Sequence, residues 1–117
     1  MKKIYYLSTC DTCKRIIKEL ELKENGFTFQ DIKTEKITES QLEELKKMSG
    51  SYEALFSKIA RKYKELNLSS KQLTETEIKN YILEEYTFLK RPVILVNNKL
   101  FIGNSKSVIE MAKKELP

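Results

Sequence analysis

Lys3-Ile4-Tyr5-Tyr6-Leu7-Ser8-Thr9-Cys10-Asp11-Thr12-Cys13 opens the chain with a change of texture that decides the fold. Residues 3–7 are β-branched and aromatic, the composition of a short strand, and Ser8-Thr9 reads as a turn. From Asp11 a helical period begins. Cys13, Ile16, Ile17 and Leu20 fall at i, i+3, i+4 and i+7, with Lys14, Arg15, Lys18 and Glu19 elsewhere. Asn25-Gly26 supplies a stop signal, and residues 27–32 alternate at period two as a second strand whose buried face the pattern leaves open. Strand, helix, strand with short connections makes a βαβ unit, hence two parallel strands.

Working outward, the middle of the chain is helical. Thr38-Glu39-Ser40-Gln41 fits a capping box, with Leu42, Leu45 and Met48 as the apolar stripe and Gly50 as the stop. Residues 52–66 place Leu55, Phe56, Ile59, Tyr63 and Leu66 at helical spacings, as one helix or two short ones. Thr74-Glu75-Thr76-Glu77 is a second capping box, leading a helix with Ile78, Tyr81, Ile82 and Tyr86. After Pro92, Val93-Ile94-Leu95-Val96 is a continuous apolar run, as expected of a strand covered on both faces. Asn97-Asn98 tolerates left-handed backbone and joins it to Leu100-Phe101-Ile102 as a β-hairpin. Gly103-Asn104 closes the hairpin, and residues 105–116 read as a final helix with Val108, Ile109 and Ala112 inward. The order predicts an α/β fold: a mixed sheet, βαβ…ββα, with an all-helical insert between its halves. One domain over 1–117 is expected, its core halves being 1–33 and 88–117 and its insert 34–87.

A chain of 117 residues with 40% hydrophobic content supports one domain with a real core. No apolar run approaches the ~20 residues that cross a bilayer, so no membrane partner is expected. The first residues show no long apolar stretch or cleavage site, which makes the cytoplasm the expected compartment. The net charge of +5 comes from 22 Lys and Arg interspersed with 17 Asp and Glu, the pattern of a solvated surface and not of a nucleic-acid footprint. With two Cys and no His the chain cannot complete a four-ligand zinc site, and no metal is expected. The lack of His also removes any Cys–His dyad, leaving Lys, Arg or a helix terminus to activate a thiol.

Cysteines kept reduced in the cytosol and spaced Cys-x-x-Cys read as redox-active. Cys10 sits in the strand-to-helix turn, where unpaired N–H groups and the helix dipole stabilise a thiolate. Lys14 and Arg15 add positive charge and Asp11 opposes it; the balance predicts a lowered pKa. Cys13 shares the apolar face of the helix, so it is either the partner of Cys10 in disulfide exchange or a small buried hydrophobe. Lys90-Arg91-Pro92 precedes the apolar strand, at a position where proline starts the strand or sits at a bend.

These residues together resemble the ArsC/Spx family of thioredoxin-fold proteins, which includes glutaredoxin-linked arsenate reductases and the Spx redox regulators. The resemblance covers nearly the whole chain. It rests on Cys10-Asp11-Thr12-Cys13-Lys14, the helical insert, residues 55–66, Arg91-Pro92, and Phe101-Ile102-Gly103 before the last helix. It implies a thioredoxin-like fold, with a cis peptide bond at Pro92 and the Arg91 guanidinium directed at Cys10. It further implies a catalytic set of Cys10, Cys13 and Arg91, and a substrate site of Asp11, Thr12, Lys14, Arg91 and Pro92. The arsenate reductases hold their oxyanion with three arginines; here one is Arg91, and Ser57 and Gly103 stand at the other two positions. The reductase reading makes the chain a thiol-dependent oxidoreductase acting on a small oxyanion or thiol substrate. Cys10 is then the nucleophile, Cys13 or glutathione resolves the adduct, and glutathione and glutaredoxin are the implied reductants, with no bound cofactor. The Spx reading makes it a redox-sensing transcriptional regulator that binds RNA polymerase through a Cys10–Cys13 disulfide switch.

Overall fold

In the computed structural model, which describes residues 1–117, the opening apolar run forms β1 (Lys3–Tyr6) and passes through a turn into α1 (Asp11–Glu19). β2 (Thr28–Asp31) runs parallel to β1, with Ile4 opposite Phe29. The second half supplies β3 (Val93–Val96) and β4 (Lys99–Ile102), joined at Asn97 and Asn98, which both adopt left-handed backbone (φ 52 and 58). That pair of positive φ values is what a two-residue hairpin turn requires. β3 lies antiparallel to β1 and β4, giving the sheet order β2-β1-β3-β4. The fold is thus the expected mixed α/β thioredoxin-like architecture.

Register explains the core. Phe29, Ile4, Ile94 and Phe101 are successive partners across all four strands, so they form one row on one face. Ile16 and Leu20 from the α1 segment pack onto this row, as do Ile109 and Ala112 from α5 (Lys106–Lys113). β3 is buried at every residue, as its unbroken apolar run requires.

The chain forms two compact units, Met1–Glu35 with Arg91–Pro117, and Lys36–Lys90. The sheet, α1 and α5 make up the first. The second is built from α2 (Glu39–Ser49), a five-residue α3 (Arg61–Glu65) and α4 (Glu75–Glu84), with three short 3-10 turns. Both expected capping boxes are present, Thr38 with Gln41 and Thr74 with Glu77. Its aromatic centre stacks Phe56 on Phe88 at 5.2 Å between centroids.

Two local expectations need correction, and a third is narrowed to one of its alternatives. The first helix does not continue to Asn25-Gly26. It ends at Glu19, because Glu21 takes left-handed backbone (φ 52) and the N–H groups of Glu21 and Leu22 turn back onto the carbonyls of Lys18 and Ile17. This is the Schellman closure, here with glutamate where glycine is usual. Residues 52–66 are not one helix but two short helical segments, Glu53–Leu55 and Arg61–Glu65, with non-helical backbone between them. Phe56 forms a bridge with Leu89, and Ser57 N–H donates to Phe88 O at 2.7 Å, so the backbone there is extended and Ile59 falls in a loop, 96% exposed. Met48, placed on the apolar stripe of α2, is exposed, while Leu42 and Leu45 are fully buried.

Candidate functional site

Cys10 is the N-cap residue of α1, held there by its own N–H donating to Leu7 O at 3.0 Å and by Lys14 N–H donating to Cys10 O at 3.1 Å. Its backbone is extended (φ −92, ψ 114) and its side chain is partly exposed. One turn on, Cys13 is completely buried in the apolar face of the helix. The strand-turn-helix texture therefore does more than place two cysteines close together. It puts one at the mouth of the helix and the other in the core.

The two thiols are displaced in opposite directions. Burial by itself would raise the Cys10 thiol; hydrogen bonding from the Cys13 backbone and thiol, from the Thr12 backbone, and the charge of Arg91 outweigh it, and the pKa is lowered from 9.0. Cys13 is pushed up to about 11, chiefly by burial, with its hydrogen bond to Cys10 and the Cys10 charge adding to the rise against a backbone contact from Leu7. The pair is reduced, and its side chains are within hydrogen-bonding reach of one another. An accessible thiol that ionises early beside a buried one that keeps its proton is the asymmetry thiol–disulfide exchange requires.

Arg91 and Pro92 enter from the other half of the sheet. The peptide bond between them is cis, and Pro92 is buried immediately before β3. The guanidinium is near enough to act on both sulfurs. Gly103 N–H donates to Pro92 O at 2.9 Å, with Gly103 at φ 89, a backbone that a side chain such as arginine adopts only with strain. Ser57 lies in the second unit and is buried. Cys10, Thr12, Cys13 and Arg91 thus act on one another. Asp11 is exposed in the first turn of α1, and Lys14 lines a cleft described below.

Two contacts around the start of α1 were not picked out by sequence, one to a thiol and one beyond it. The Leu7 backbone reaches the Cys13 thiol, a contact no residue type announces. Ser8 Oγ donates to Asp31 Oδ2 at 2.5 Å, and Lys33 N–H donates to Asp31 Oδ1 at 3.1 Å. Those hydrogen bonds outweigh the modest burial of Asp31 and lower its pKa. Their signal was available, since aligning the two parallel strands puts Tyr6 opposite Asp31.

The model of the ArsC family matches residues 5–112. Among curated proteins, the chain is 25% identical to the regulatory protein MgsR of Bacillus subtilis (strain 168), over 95% of this chain and 90% of that one. It is 24% identical to the global transcriptional regulator Spx 2 of Bacillus anthracis, over 86% of this chain and 77% of the relative. Among solved structures, an arsenate reductase from Vibrio cholerae superposes with a TM-score of 0.79 at 20% identity, covering 98% of this chain and 97% of that one. An ArsC family related protein from Bacteroides fragilis gives a TM-score of 0.79 at 25% identity, covering 94% and 95%.

Proposed function

The chain belongs to the ArsC family, and from that premise we propose that it is a thiol-dependent oxidoreductase in which Cys10 is the nucleophile and Cys13 the resolving thiol. The observation that carries this reading is the opposed displacement of two thiols in contact. The Cys10 thiolate attacks one sulfur of an oxidised partner, forming a mixed disulfide and expelling the other sulfur as a thiolate. Cys10 is then neutral, so two of the influences that raise Cys13, its hydrogen bond to Cys10 and the Cys10 charge, are gone. Cys13 loses its proton more readily at that moment, attacks Cys10 Sγ and releases the reduced partner. The chain is left with a Cys10–Cys13 disulfide, two electrons having passed to the substrate. Glutathione or glutaredoxin is the proposed external reductant. A single arginine beside the thiols, with Ser57 and Gly103 where arsenate reductases carry the other two, favours a disulfide over arsenate as the substrate.

A second reading is favoured by the curated relatives, both named as regulators. In it the same pair is a redox switch governing association with RNA polymerase. Mass spectrometry after a mild oxidant, with and without glutathione, tests the shared chemistry. An intramolecular Cys10–Cys13 disulfide is expected, with a glutathione adduct at Cys10 trapped in Cys13→Ser. No disulfide and no adduct at Cys10 would overturn both readings. Turnover of a glutathione mixed disulfide supports the reductase; no turnover, with redox-dependent retention of polymerase subunits, would replace it by the regulator.

A further inference from the structure

The early end of α1 creates a cavity that the thiol chemistry does not use. Glu21 turns the chain back at the end of the helix, and Gly26 (φ 77) closes a second turn through Phe27 N–H to Leu22 O at 3.1 Å. The segment between them faces α1 across a cleft of about 440 Å³. Tyr6, Ile17 and Phe29 line it, each only partly buried, with the Tyr6 and Phe29 rings edge to face at 5.6 Å. Lys14 and Lys18 border it from α1, and Lys23 and Glu24 from the returning turn. Three lysines thus border the cleft against one glutamate, and none of the three is held in an ion pair. Ser8 completes the lining, its hydroxyl donating to Asp31.

We propose that this cleft binds a small aromatic anion, its ring on Tyr6, Phe29 and Ile17 and its carboxylate or sulfonate among Lys14, Lys18 and Lys23. The size falls within the range of small-molecule sites, roughly 300–1,000 Å³. Two aromatic rings and an aliphatic side chain left half open supply the apolar contact. The uncompensated lysines select the sign of the charge. The site stands on the architecture of β1, α1 and β2 and does not depend on the proposed redox role.

The test is a titration of the isotope-labelled full chain with 2-naphthoate, read by amide chemical shifts, beside neutral 2-naphthamide. Saturable shifts confined to residues near Tyr6, Ile17, Lys23 and Phe29 are expected. Lys18→Glu and Lys23→Glu should each weaken binding by about threefold or more, the scale of reversing an exposed charge pair. Lys47→Glu, on exposed helix surface of the second unit, should leave it unchanged. Non-saturating shifts scattered over the surface lysines would overturn the site. Equal affinity for 2-naphthamide, or indifference to both charge reversals, would overturn its selectivity for an anion.

Discussion

Removing Cys10 should leave a protein whose remaining thiol is almost inert. In Cys10→Ser the largest influence on Cys13, its burial, is unchanged, while the two contributions from Cys10 disappear. The Cys13 pKa should therefore fall somewhat from about 11 but stay above the ordinary 9.0. At the full displacement of the unsubstituted chain, about two pH units, the thiolate fraction at neutral pH is cut about a hundredfold, and the greater basicity returns a factor of roughly ten in nucleophilicity. Ionisation alone then slows Cys13 by at most roughly tenfold relative to an ordinary thiol, and by less once Cys10 is gone. Full burial adds the cost of opening the helix face before any reagent arrives. Cys10 moves the other way, since its pKa lies below 9.0 and its sulfur is partly exposed. The assay is the rate of iodoacetamide modification followed by mass between pH 6 and 10. Cys13→Ser, which retains a hydroxyl to donate to Cys10, should react at least about tenfold faster at pH 7 than Cys10→Ser. Its rate should rise with pH with a midpoint below pH 9. Cys13→Ala, lacking that donor, should have its midpoint shifted upward. Reaction of Cys10→Ser within threefold of Cys13→Ser at pH 7 would refute the assignment of unequal roles.

Arg91→Gln removes a positive charge that favours both thiolates, so the midpoint of Cys10 alkylation should move to higher pH, as the same mass assay would show. Ile94→Ala opens a cavity in the central strand, in the row linking Phe29, Ile4 and Phe101, and should cost about 2–5 kcal/mol in urea unfolding.

Much of the fold was legible because residue type and local geometry agree. The β-branched and aromatic run before Cys10, the apolar run at residues 93–96, the two threonine-led capping boxes and the Asn97-Asn98 turn each carry their structure in a few adjacent residues. What was misread or left open has the opposite character. A glutamate in left-handed backbone ends α1, and nothing in its side chain advertises that conformation. Residues 52–66, left open between one helix and two short ones, split into two because Phe56 and Ser57 between them take their backbone partners from Leu89 and Phe88, more than thirty positions away. A non-local pairing of that kind overrides periodicity. At the candidate site the spacing of the cysteines and the helix start were visible. The degree to which burial separates Cys10 from Cys13 was not, since it depends on how the helix face meets the sheet. Gln30 gives a similar lesson: a polar residue is buried in β2 because its side-chain amide donates to Glu35 O at 3.0 Å.

The position of Cys10 at the cap of α1 has an energetic corollary for the oxidised chain. Whatever stabilises that thiolate stabilises the dithiol form alone, because a disulfide sulfur carries no charge for backbone groups or Arg91 to act upon. Above the pH at which Cys10 ionises, every further unit by which the fold lowers its pKa raises the reduction potential of the couple by roughly 30 mV. The cap that lowers the Cys10 pKa thereby makes the disulfide more oxidising and the dithiol a weaker reductant, so the sequence that starts the helix trades driving force for a more reactive thiol.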